Sequence, residues 1–120
     1  MSAAQYEVLI EAGAKLARTF LYKDADGVAV PLTGFSGRMQ IRESADSTTV
    51  LHEMTTANGG LIFEAAAVVG QIEMYIGATA TEAFTFSKAV YDLEVVNDGD
   101  AEDVIRLLEG DVTVSPNVTR

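Results

Sequence analysis

Apolar and polar residues alternate along most of this chain, and the period is two. Tyr6, Val8, Ile10 and Ala12 are interleaved with Gln5, Glu7, Leu9 and Glu11, which places the first set on one face of a half-buried strand. Residues 15–22 continue with Leu16, Phe20 and Tyr22, and Ala12-Gly13-Ala14 reads as the turn that pairs the two runs. In KDADG, Asp24, Asp26 and Gly27 supply tight-turn chemistry, because Asp bonds its own backbone and Gly accepts positive φ. A hairpin is expected there.

The stretch VAVPLTGFSGRMQIRES holds a short edge-like piece ending at Pro31 and then a strand over about 35–42 with Phe35, Met39 and Ile41 inward. Residues 44–48 are polar and turn-like. Alternation resumes over 48–54, and Asn58-Gly59-Gly60 breaks the chain before Leu61, Ile62 and Phe63. Residues 70–76 form another strand with Ile72, Met74 and Ile76 on one face. GATATEAFTF resists the pattern and predicts a single helical turn. SKAVYDLEVV alternates again, its register turning on Val90 or Tyr91, and the acidic loop NDGDAED leads to a last strand in VIRLLEGDVTVS.

Turn signals every eight to twelve residues, with no amphipathic helix long enough to cover a parallel sheet, predict one class. It is an all-β, antiparallel immunoglobulin-like β-sandwich of about seven or eight strands with at most a short helical turn, a single domain over 1–120. Segments 28–30 and 48–54 are the expected edge strands.

Composition narrows function. The 120 residues include no cysteine, which excludes disulfides, thiol nucleophiles and cysteine-based metal sites. No apolar run approaches a membrane span and the N-terminus lacks a signal-peptide pattern, so a soluble chain made in a cytoplasm is expected. Eight Lys plus Arg against eighteen Asp plus Glu give a formal charge of −10, which repels nucleic acid and anionic lipid. The acidity reads as solubility, with a basic partner surface as the other reading.

Candidate chemistry is sparse. His52 is the sole histidine; it lies inside a strand with no G-x-S-x-G elbow, and reads as a cross-strand or surface residue rather than a catalytic base or metal ligand. Asp24 and Asp26, and Asp98, Asp100, Glu102 and Asp103, offer hard oxygens to calcium, but the D-x-[DN]-x-[DN]-G spacing is incomplete. Both clusters read as solvated hairpin tips, with a structural cation as the alternative. Gly59-Gly60 and the Gly34 to Gly37 stretch lack the lysine and strand-to-helix setting of a phosphate loop. A sugar platform would have to come from Phe84 or Phe86, since there is no Trp. No catalytic residue, cofactor or metal is expected.

The order of LTGFSGRMQIRES, TTVLHEMTTANGGL, AVYDLEVV and RLLEGDVTVSPNVTR resembles small tailed-bacteriophage proteins, similar to the immunoglobulin-like N-terminal domain of phage baseplate upper proteins. Its specific parts are Leu32-Thr33-Gly34, Tyr91-Asp92-Leu93, Arg106-Leu107-Leu108-Glu109-Gly110 and the ending from Val114 to Arg120. The resemblance implies a non-enzymatic virion assembly module of the tail, baseplate, collar or fibre attachment region, in contact with other phage structural proteins and present in multiple symmetric copies. A capsid decoration protein and a carbohydrate- or receptor-binding sandwich are the alternatives. The family's sandwich is followed by longer regions whereas this chain stops at Arg120, a departure that argues against direct host binding and favours an adaptor, collar or decoration subunit. Pro116 ends ladder pairing, and Pro116, Asn117, Val118, Thr119 and Arg120 are expected either as an extended arm that docks a neighbour, with Val118 as anchor and Arg120 pairing a carboxylate, or as a frayed end.

Overall fold

Alternation in sequence becomes alternation in burial. In Val8–Glu11 (β2), Val8 and Ile10 are enclosed while Leu9 and Glu11 face solvent, and in Phe35–Arg42 (β4) the inward set is Gly37, Met39 and Ile41. The computed structural model describes residues 4–116. Its remaining strands are Ala4–Gln5 (β1), Leu16–Leu21 (β3), His52–Thr55 (β5), Leu61–Phe63 (β6), Gln71–Ile76 (β7), Lys88–Asn97 (β8) and Asp100–Ser115 (β9). One helical turn, Ala78–Glu82 (α1), falls within the GATATEAFTF stretch that lacks strand periodicity.

Two sheets enclose the core. The larger runs β1-β9-β8-β4-β5, with β2 also on β9, and the smaller runs β3-β7-β6. Ile10, Met39, Ile41, Met54, Met74 and Leu93 are among the largest side chains fully buried between them. Tyr91 is buried and Val90 is not, which settles the register of β8.

The expected hairpin between the first two strands does not form. β2 pairs with β9 in the larger sheet, whereas β3 pairs with β7 in the smaller, so Ala12-Gly13-Ala14 carries the chain from one sheet to the other. Thr81 of α1 fixes that crossing: its buried hydroxyl accepts from the Gly13 N–H at 3.1 Å and donates to the Ala14 carbonyl at 2.8 Å. Alternation reports which face a strand buries, not which neighbour it pairs with. The same placement makes the N-terminal pairings parallel, in sheets that are otherwise antiparallel.

Other boundaries also move. β9 starts at Asp100, so Glu102 and Asp103 belong to a strand and not to a loop. β5 is shorter than the expected 48–54 strand, and the 28–30 piece contributes only an isolated bridge between Lys23 and Ala29. The KDADG turn is present: Asp24 Oδ1 accepts from the Asp26 and Val28 N–H groups, at 2.9 and 3.0 Å.

Candidate functional site

Pairing β5, β4, β8 and β9 side by side brings their outward residues into rows. One row is Glu53, Gln40, Asp92 and Glu109, and Gln5 of β1 completes it by donating to Glu109 at 2.7 Å. Gln40 donates to Glu53 at 2.8 Å, while its Oε1 accepts from Arg42, which also reaches the Ser47 carbonyl at 2.6 Å. In the next row Arg38 pairs with Glu94 at 2.7 Å. Arg106 bridges the rows, 3.3 Å from both Asp92 and Glu109. A shallow groove of about 540 Å³ lies along this face, lined by Gln5, Gln40, Arg42, Asp92 and Arg106 among others.

Electrostatics follow from that crowding. Partial burial, with Glu94 and Glu109 nearby, pushes the Asp92 carboxyl above its ordinary range against the opposing pull of Arg106 and Arg38. Tyr91, on the inward side of β8, donates its hydroxyl to the Tyr6 carbonyl at 2.7 Å, and burial raises its pKa strongly. Gly110 of β9 passes directly beneath the same Tyr6 carbonyl. Tyr91 and Gly110 thus lock the N-terminal strand to the sheet at the gap between β1 and β2.

The sequence candidates scatter. His52 stacks edge-on against Phe84 at 5.4 Å, and Phe84 meets Phe86 at 5.0 Å. Burial lowers the His52 pKa, which leaves a neutral imidazole in an aromatic cluster. Phe84 and Phe86 are half-buried and pack partly against the core. A second hollow of about 300 Å³ beside His52 is lined by Glu53, Tyr75 and Ala80 as well. Asp24 and Asp100 spend carboxylate oxygens on their own turns, and Asp103 accepts from Asn97 at 3.1 Å. Among the described residues, no three His, Asp or Glu side chains are grouped to hold a metal ion. Pro116 is exposed just beyond β9, and Asn117, Val118, Thr119 and Arg120 lie outside the described residues.

Sequence reasoning passed over the Arg38, Asp92, Glu94, Arg106 and Glu109 network. Its one legible signal is opposite charge on the outward positions of neighbouring strands, and that needs a register before it has meaning. The arrangement is polar, presents both signs of charge, and pairs no nucleophile with a base.

No family model and no curated protein matches the chain. Among solved structures it is similar to one titled Tim-1, with a TM-score of 0.50 and 12% identity over 100% of this chain and 99% of that one. At that identity the likeness shows the fold alone: this chain is an all-β, immunoglobulin-like sandwich.

Proposed function

We propose that this chain is a structural virion protein of a tailed bacteriophage, a non-enzymatic assembly module of the tail, baseplate, collar or fibre attachment region. One observation carries the reading. Two of the segments that resemble the phage proteins meet at a structural lock: Tyr91 and Gly110 hold Tyr6, and Arg106 joins Asp92 to Glu109. Contacts of this kind keep a sheet in register and present its outer face. In an assembly role that face meets other phage structural proteins through a polar, charge-complementary contact repeated by symmetry. The chain would be made in the bacterial cytoplasm and end in the virion.

Purified particles separated into heads and tails, with mass spectrometry of each fraction, test the reading. Recovery with tails supports the adaptor or baseplate role, and recovery with heads supports a decoration subunit instead. Absence from both rejects a virion protein. The terminal residues from Pro116 to Arg120 have a separate expected outcome. Removing them leaves the thermal midpoint nearly unchanged, because Pro116 has already ended the ladder, and lowers incorporation into particles. Normal incorporation of the truncated chain would reject the arm.

A further inference from the structure

The hollow beside His52 lies where the two sheets part. β5 is the last strand of the larger sheet and β7 the middle strand of the smaller, and the Asn58 turn and α1 border the space between them. Its walls are held from behind. Asn58 Oδ1 accepts from the Thr55 and Gly60 N–H groups, each at 2.8 Å, and its side-chain amide donates to the Glu53 carbonyl at 3.1 Å. The Gly60 carbonyl accepts from the Tyr75 N–H at 2.9 Å, which ties the turn to β7. Thr81 anchors α1 through Gly13 and Ala14, and Phe84 sets the His52 ring edge-on. The result is a preformed concavity of about 300 Å³. That is the small end of the roughly 300–1,000 Å³ range of ligand sites, with room for one ring.

Its chemistry is mixed. Tyr75 is 40% exposed, whereas Phe84 and Phe86 are half-buried against the core, so Tyr75 brings the open aromatic face. A Cβ on Gly77 would have only the Tyr75 hydroxyl and ring edge near it, at 3.8 and 4.0 Å, and a Cβ on Gly59 would meet nothing within 4 Å. Both glycines therefore leave the approach clear. Glu53 gives Oε2 to Gln40. Among the described residues its Oε1, the Tyr75 hydroxyl and the His52 ring nitrogens make no hydrogen bond. Burial favours the uncharged His52 ring, which offers one donor and one acceptor.

We propose that this hollow binds one neutral sugar ring, whose apolar face stacks on Tyr75 while its hydroxyls bond Glu53 Oε1 and His52. A sugar hydroxyl both donates and accepts, and the free groups match it: the carboxylate accepts, while the imidazole and the phenol do both. A phosphate or an acidic sugar would meet Glu53 on a chain of net charge −10, which repels anions. An ammonium ligand would find a single open aromatic face and donors it cannot use. The sugar platform that the sequence placed at Phe84 or Phe86 is thus on β7. A shallow seat with few polar contacts binds weakly, with a Kd of about 1–10 mM. Sugar binding here is independent of the virion reading, and a failed particle fractionation leaves it standing.

Amide-resolved NMR of the full chain, titrated separately with the methyl glycosides of glucose, galactose and mannose and with N-acetylglucosamine to about 50 mM, tests it. At least one sugar should give saturable shifts centred on the Gly59, Gly60, Tyr75 and Gly77 amides. Y75A should weaken that binding about tenfold with an unchanged thermal midpoint, because the side chain is exposed. G77L, on ordinary backbone with φ of −70°, should fill the hollow and abolish binding. L9A, at an exposed site on β2, should bind as wild type does. Absence of saturable shifts with all four sugars overturns the proposal. So do shifts centred elsewhere, undiminished binding by Y75A and G77L, or saturation by tetramethylammonium in place of a sugar.

Discussion

Gly110 lies so close to the Tyr6 carbonyl that an added Cβ would overlap the oxygen. Backbone, not a flexible side chain, occupies the space, so G110A must displace the N-terminal strand or bend β9. The expected cost is about 1–3 kcal/mol, read from urea denaturation; a variant as stable as wild type would show that the strand shifts freely. Glu64 sets a pH dependence. The Gly70 and Leu32 N–H groups favour its charged form and lower its pKa from 4.5, so its stabilisation is complete above 4.5 and is lost as pH falls through the lowered value. Asp92 acts in the opposite sense. Its pKa is raised from 3.8, so its ionised form opposes folding above that value and the penalty is relieved on acidification. In acid titrations of stability, E64A should lose less than wild type between neutral pH and about pH 3, whereas D92N should lose more. Curves parallel to wild type would show that neither carboxylate matters to the fold.

At the level of elements, the free edges are guarded. β5 and β6 are short, and the N-terminal strand is divided into β1 and β2. β3 is longer, six residues without Gly or Pro, and is the edge most open to pairing with another chain. Its protection is Arg18, which sits opposite Met74 on the core-facing side and remains only half-buried. An inward charge at an edge penalises a strand added alongside, because pairing would trap the charge away from water. R18V should keep the fold and raise aggregation on mild heating, followed by light scattering; scattering equal to wild type would remove Arg18 as the guard. Of the two segments expected as edge strands, 48–54 overlaps the short β5 and 28–30 makes only an isolated bridge, while β3 was not legible as an edge. Its pattern is that of any half-buried strand, and only the absence of a second neighbour distinguishes it.

At the scale of the whole molecule, the core is held without the inter-sheet disulfide and buried tryptophan found in antibody domains. The chain has neither residue, and Met39, Met54 and Met74 are buried where the sheets face each other, using a side chain that fills irregular space. The net charge of −10 acts against this core through self-repulsion. Raising salt from about 0.02 to about 0.3 M, which shortens the screening length well below the molecular diameter, should raise the thermal midpoint; a flat or falling midpoint would show that the local arginine pairs outweigh the overall repulsion. The sequence by itself determined the all-β class, the place of β4, β7 and α1, and the inward residues of β2 and β7, but not the register of β8. Those are local properties: period two dictates which face is buried, and Asp or Gly dictates where the chain turns. Tertiary structure alone decided that β2 leaves its sequence neighbour to run parallel to β9, that Arg106 joins Asp92 to Glu109, and that Ala66 to Val69 remain uncovered. Strand pairing, cross-strand charge and exposure depend on residues far apart in sequence, and a strand's pattern encodes its face but not its partner.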